Sequence, residues 1–464
     1  MARETENTIR PGNGANGRDR FGGSLRGSVA RLGREVSEKR RPLVWGALVT
    51  FFLLYYYRPE DVIKALAYIP MAKIAAIVAF IPIVIERLSG SKDKLPTAIK
   101  ILWILLAQMT LCIPFAIWRG GAYHTVFDKF AKGVVIAMVI SIAVVTVKQL
   151  KRLLWIQASA VALVTFASIA LRHYDPRDGR LSGVQLGILE NPNDLAINIA
   201  ISFPLAMAFM LYARGLKKAI WSLALGFMAL GVILTSSRSG LLAMLLSLGI
   251  CIWEYGIKGK RQQLIIAMIL AGVVGMGVAL SSSHYRARVA SIALGDVEGA
   301  GDKGSMAARK ELLKRSMSVA LHHPIFGVGP GCFPLIDEGW RVAHNAYSEL
   351  AAEGGFPALF LFLLSFWAAF RNIAQVRKSA RYRDDKELQV FTQALWAGLV
   401  AYLAGSLFAS TEYSLYPYFM VAHTCVVLRI ASHSQSGEDR AINPRSLAKV
   451  TYDGVRDTQT LRTR

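Results

Sequence analysis

The chain has 464 residues, of which 53% are hydrophobic and only 18% charged, and its mean hydropathy is +0.38. That is too apolar for a water-soluble domain of ordinary composition. The formal net charge of +23 would suit a nucleic-acid binder, but the charges lie in loops between apolar runs with no interleaved aromatics, which excludes that class.

Residues 1–42 are polar and basic, so neither a cleavable signal peptide nor a packed fold is expected there. About twelve apolar runs follow, at 43–57, 62–85, 99–118, 130–147, 153–171, 195–213, 219–235, 240–255, 263–281, 346–370, 392–409 and 412–430. Most approach the roughly 20 residues that a helix needs to cross about 30 Å of hydrocarbon. A basic loop follows every even-numbered run: Arg87, Lys92 and Lys94; Lys148, Lys151 and Arg152; Arg214, Lys217 and Lys218; Lys258, Lys260 and Arg261; Arg371, Arg377, Lys378, Arg381 and Arg383. The positive-inside rule then puts both termini in the cytoplasm.

Two longer loops fall on the outer side, 172–194 and 282–344. Within the second, 303–324 has helical spacing, with Met306, Leu313, Met317 and Ala320 near one face. The stretch "PIFGVGPGCFP" after it must be irregular. The expected fold is an all-α polytopic membrane protein of about 12 spans with a partly helical outer loop domain. Its parts are a disordered basic N-terminus (1–42), spans 1–9 (43–281), the loop domain (282–345), spans 10–12 (346–430) and a disordered tail (431–464). Cys332 alone lies outside the membrane, so no intramolecular disulfide is expected.

The candidate chemistry lies on the outer side. "LTSSRSG" (234–240) is a tight connection that holds Arg238 at the membrane surface, where a guanidinium needs an anionic partner. Ser236, Ser237 and Ser239 add hydroxyls around it. Arg309 lies on the loop helix with Lys310, Lys314 and Arg315 nearby. Arg180 in "DGRLSG" and Asn193 in "ENPND" are further candidates, although Asn-Pro-Asn-Asp is first of all a turn and helix cap. His344 stands where the loop rejoins the membrane and is a candidate general base, since imidazole titrates near neutrality. Asn345 and Tyr347 are placed to orient it or touch a polar substrate, and Glu349 sits further into the span, acting there or simply paired. "GVGPG" (327–331) is no phosphate loop, because no strand precedes it and Pro330 lacks an amide donor. Adjacent His322 and His323 do not have ligand spacing, and no metal site is expected.

Four segments together resemble the O-antigen ligase and polymerase superfamily: "SSRSGLLAMLL" (236–246), the arginine at 309, "HHPIFGVGPGCF" (322–333) and "HNAYSELAAEGG" (344–355). The resemblance covers roughly 190–410. It implies a helical, GT-C-like glycosyltransferase of the bacterial inner membrane whose active site faces the periplasm. The donor would be a glycan on undecaprenyl pyrophosphate and the acceptor a sugar hydroxyl of lipid A–core, joined with inversion. His344, Arg238 and Arg309 would be catalytic, with Arg180, Asn193, Ser237, Asn345, Tyr347 and Arg315 binding substrate. Arginines would hold the pyrophosphate, so neither metal nor other cofactor is called for.

Two other readings stay open. A polymerase of repeat units, or a ligase that transfers glycans to protein, would share these residues. A transporter or flippase would instead show intramembrane charges or broken helices in matching halves, whereas here the polar residues gather at the outer surface.

Overall fold

The computed structural model describes residues 42–62, 71–88, 94–176, 179–184, 189–263, 266, 277, 286, 303–337 and 341–441. Helices occupy every expected apolar run except 263–281, most of which lies outside the described residues. In chain order they are α1 (Pro42–Tyr57), α2 (Met71–Leu88), α3 (Thr97–Cys112), α4 (Arg119–His124), α5 (Ala131–Ala143), α6 (Val147–Ala170), α7 (Pro192–Tyr212), α8 (Leu216–Leu234), α9 (Arg238–Cys251), α10 (Lys303–His322), α11 (Ala346–Lys378), α12 (Ala380–Asp384), α13 (Lys386–Gly405) and α14 (Tyr416–Ala441). Among the described residues, 7 helices are long and apolar enough to cross a membrane, and α1 and α2 are shorter apolar helices. The chain is therefore a multi-pass membrane protein. α14 runs on to Ala441, past the expected span end at 430.

The core forms around α7, which is buried along nearly its whole length between α6, α8, α9 and α13. Gly240 explains the close approach of α9: a Cβ there would lie 2.2 Å from that of Ala196 on α7. The outermost helices are apolar on the wrong side for water. Leu216, Ile220 and Leu223 of α8, and Ile74, Ile77 and Ile81 of α2, are all exposed. Such faces are stable only against lipid.

Two ends are distinguished by their bonding. At one, the basic connections join: Lys151 pairs with Glu387 at 2.6 Å, and buried Glu254 takes Lys258 and Arg377, both at 3.2 Å. Gln393 Nε2 also donates to Glu254 at 3.2 Å. At the other, the connections that carry the candidate residues fold over one another. Leu181 N–H donates to the Leu234 carbonyl at 3.1 Å, and Ile117 N–H to that of Val328 at 3.0 Å.

Candidate active site

The turn between α8 and α9 is where Arg238 enters. Ser236 takes a left-handed φ of 49°, a conformation that costs a non-glycine residue about 1–3 kcal/mol and persists only where its neighbours fix it. They do. Ser237 caps α9, its Oγ accepting the Gly240 N–H at 3.2 Å and donating to Asn193 Oδ1 at 2.8 Å. Arg180, almost wholly buried, donates from Nη2 to the same Asn193 oxygen at 2.6 Å and from Nε to the Thr235 carbonyl at 2.7 Å. Arg180, Asn193 and Ser237, more than 50 residues apart at the extremes, thus meet in one hydrogen-bonded group. Arg238 follows at the first turn of α9, where the partial positive charge of the helix end adds to its own.

In the outer loop, α10 packs with Leu312, Ser316 and Ala320 buried, while Leu313 and Met317 are exposed. The inward face is therefore displaced by one residue from the expected Leu313–Met317 stripe. It turns that way because Leu312 closes a small core with Phe333, Ala343 and Ala352. Arg315 donates to Asp337 Oδ1 at 3.1 Å, and Arg341 donates to both Asp337 oxygens at 2.8 and 3.0 Å. These three residues line an open cavity of about 520 Å³ with Glu311, Lys314 and Ser318. Arg315 is thus engaged by a buried carboxylate that the sequence reading did not single out.

α11 is broken near its start. Gly355 has φ 75° and ψ 175°, and Pro357 supplies no amide for the Glu353 carbonyl four residues back. The carbonyls freed by this break bind the glycine-rich stretch. Val328 N–H donates to Ala352 O at 2.9 Å and Gly329 N–H to Glu353 O at 3.0 Å, while Phe356 N–H turns to Pro324 O at 2.8 Å. The Glu353 side chain completes the join, accepting the amides of Gly331 at 2.7 Å and Phe333 at 3.0 Å and the hydroxyl of Tyr413. The amides of "GVGPG" at 328, 329 and 331 are all taken by protein acceptors. Gln108 of α3 ties the same joint from below, its Nε2 donating to the Ile325 carbonyl at 2.9 Å.

His344 lies just before α11 with φ 53°. Asn345 caps the helix, its Oδ1 accepting the amides of Tyr347 and Ser348, both at 3.0 Å, and its Nδ2 donating to Leu407 O at 3.0 Å. The Tyr347 hydroxyl donates to Leu403 O at 2.7 Å. Glu349 is paired, accepting the Ala343 N–H at 3.0 Å and the Ser410 hydroxyl. Burial lowers the pKa of His344 below the usual histidine value, and the positive charge of Arg309 lowers it further; both disfavour the imidazolium. The expected pair, Arg309 and His344, thus stands within electrostatic reach.

Glu412, in the turn before α14, is a further buried acid, 2% exposed, and its backbone carbonyl accepts the Tyr418 hydroxyl. Glu353, Glu412 and Asp337 were not singled out in the sequence. Only Glu353 had a signal there, as a second acid four residues after Glu349 in an otherwise apolar run.

The O-antigen ligase family model matches residues 223–363, a stretch that contains Arg238, Arg309, Arg315, His344, Asn345 and Tyr347. No curated protein matches the chain. A ligase- or polymerase-type activity on lipid-linked glycans follows at the level of the family. Residues 223–363, which hold both the strained serine turn and the broken helix after His344, are the part of the chain that is similar to the O-antigen ligase family.

Proposed function

We propose that the chain is an inverting glycosyltransferase of the inner membrane, with a GT-C-type fold of about twelve spans and both termini in the cytoplasm. It moves a glycan from undecaprenyl pyrophosphate to a sugar hydroxyl of lipid A–core at the periplasmic face. His344 accepts the acceptor's proton as its oxygen bonds to the anomeric carbon. The bond from that carbon to the pyrophosphate oxygen breaks on the opposite side, and Arg238 and Arg309 hold the departing pyrophosphate. Planar guanidinium forks suit that bidentate task without a metal. The observation that carries the reading is His344 itself: a half-buried imidazole that feels the positive charge of Arg309 is held toward the neutral form, which is the form a general base needs.

Purified protein carrying His344→Ala should remain folded but turn over about 10²–10⁴-fold more slowly, with donor binding nearly unchanged because the base acts mainly in the transition state. Wild-type turnover in that variant would sink the base assignment. The family match fits a polymerase equally, and deletion of the gene separates the two. Long glycan left on undecaprenyl pyrophosphate marks a ligase, whereas single capped repeats mark a polymerase. Loss of surface glycan, with the lipid-linked precursor held on the cytoplasmic leaflet, would point to a flippase.

A further inference from the structure

The left-handed backbone of His344 is held from both sides, and the two anchors meet at one short turn. On its N-terminal side the Ala343 amide donates to Glu349 Oε2 at 3.0 Å. On its C-terminal side Asn345 Nδ2 donates to the Leu407 carbonyl at 3.0 Å, and the Ala346 amide donates to the carbonyls of Ser406 and Ala409 at 3.0 and 3.1 Å. Ser410, in the same turn between α13 and α14, donates its hydroxyl to the very oxygen of Glu349 that holds Ala343. We propose that Glu349, braced by Ser410, is the positioning residue of His344, fixing the backbone from which the imidazole reaches the acceptor without itself touching substrate. This rests on the reading of His344 as the base.

Glu349 is 3% exposed and Ala343 2%, so their bond is closed to solvent and to any glycan. Removing the carboxylate leaves the Ala343 amide buried without an acceptor, a state that proteins avoid by moving the chain. A left-handed non-glycine residue survives only while its surroundings over-determine it, and Glu349 supplies one of the two sides. Once that side is released, residue 344 relaxes toward an ordinary φ. The ring is carried off its line of approach, and a displacement of about 1 Å costs on the order of 10²-fold in rate. Glu353, one helical turn later, provides the contrast. It binds Gly331, Phe333 and Tyr413, and so braces the glycine-rich stretch without holding the segment that carries His344.

The test uses full-length purified protein, the lipid-linked glycan that accumulates in the deletion strain, and its glycolipid acceptor. Glu349→Ala should lower kcat about 10²-fold with both KM values unchanged. Glu349→Gln should recover most of that loss, because an amide oxygen in the place of Oε2 still accepts from both the Ala343 N–H and the Ser410 hydroxyl. Combining Glu349→Ala with His344→Ala should cost nothing beyond His344→Ala alone, whereas Glu353→Gln should add its own loss in either background. If Glu349→Ala does not fold, Ser410→Ala, which removes only the brace, enters the same cycle with a smaller expected loss. Wild-type kcat in Glu349→Ala, or losses that add to that of His344→Ala, overturn the positioning role and leave the base reading standing. Wild-type kcat in His344→Ala overturns the base reading, and this role with it.

Discussion

The guanidinium of Arg180 donates to Asn193 Oδ1 at 2.6 Å, joining a loop that follows α6 to the first turn of α7. The same oxygen accepts from Ser237, so the residue before Arg238 is fixed by a partner far away in sequence. Arg180 and Ser237 act on one acceptor, and their substitutions should not add. A double-mutant cycle of Arg180→Ala and Ser237→Ala, read by thermal unfolding, should give a coupling energy of about 0.5–3 kcal/mol. Arg180→Lys should restore only part of the loss, since one ammonium cannot reproduce the fork that spans Asn193 and the Thr235 carbonyl. Strict additivity would mean that the shared oxygen is not what holds the turn.

Gly355→Ala should be among the most damaging single changes outside the charged residues. The backbone there has φ 75°, and a Cβ would fall 2.4 Å from the Ile325 carbonyl oxygen. Both strain and collision act, so a loss of more than about 1–3 kcal/mol is expected. A control at Gly226 of α8, whose Cβ would meet nothing within 4 Å, should be neutral or slightly stabilising by helix propensity. Equal melting temperatures for the two variants would show that the break in α11 is not the joint described.

Much of this was legible in the sequence, for physical reasons. Apolar run length reports the hydrocarbon thickness directly, so helices appear where expected. Arg180, Asn193 and Ser237 were each singled out as polar residues near turns on one side, but nothing in a single sequence shows that they share one oxygen. The break in α11 was hidden because Gly354, Gly355 and Pro357 sit at the mixed start of a long apolar run, and run length alone does not register a kink. Leu313 and Leu312 are interchangeable to a periodicity argument, and only the small core with Phe333 and Ala343 decides which one turns inward. Asp337 was invisible because its two arginines lie 22 residues before it and 4 after it.

The proposed sidedness rests on the charge pattern and is open to a direct check. Cysteines introduced singly at Pro176 and Leu321, both exposed, should react with an impermeant maleimide in intact spheroplasts. A cysteine at exposed Lys217 should label only after lysis. The reverse pattern would invert the topology and move the proposed site to the cytoplasm. Ser182 lies in the same loop as Pro176 but is 4% exposed, so a cysteine there would report burial instead of sidedness.

The pH dependence tests the environment of His344. Its folded pKa lies below the ordinary value of about 6.5, through burial first and the charge of Arg309 second. The neutral imidazole is the active form, so turnover should hold as the pH falls through about 6.5 and fail only at lower pH. Stability follows the same sign. A histidine whose folded pKa is depressed adds no penalty above its unfolded pKa, and it destabilises the native state progressively as the pH falls through that value toward the folded pKa. Arg309→Gln removes the guanidinium but leaves the burial. The acid limb of kcat should then shift upward toward 6.5 while remaining below it. The shift is separate from any drop in absolute rate caused by losing a pyrophosphate contact, because a limb position does not depend on the height of the plateau. The profile should be measured on kcat at saturating donor. An acid limb that stays in place in Arg309→Gln would show that the arginine does not act on the imidazole, and a limb that moves downward would contradict the sign of their interaction.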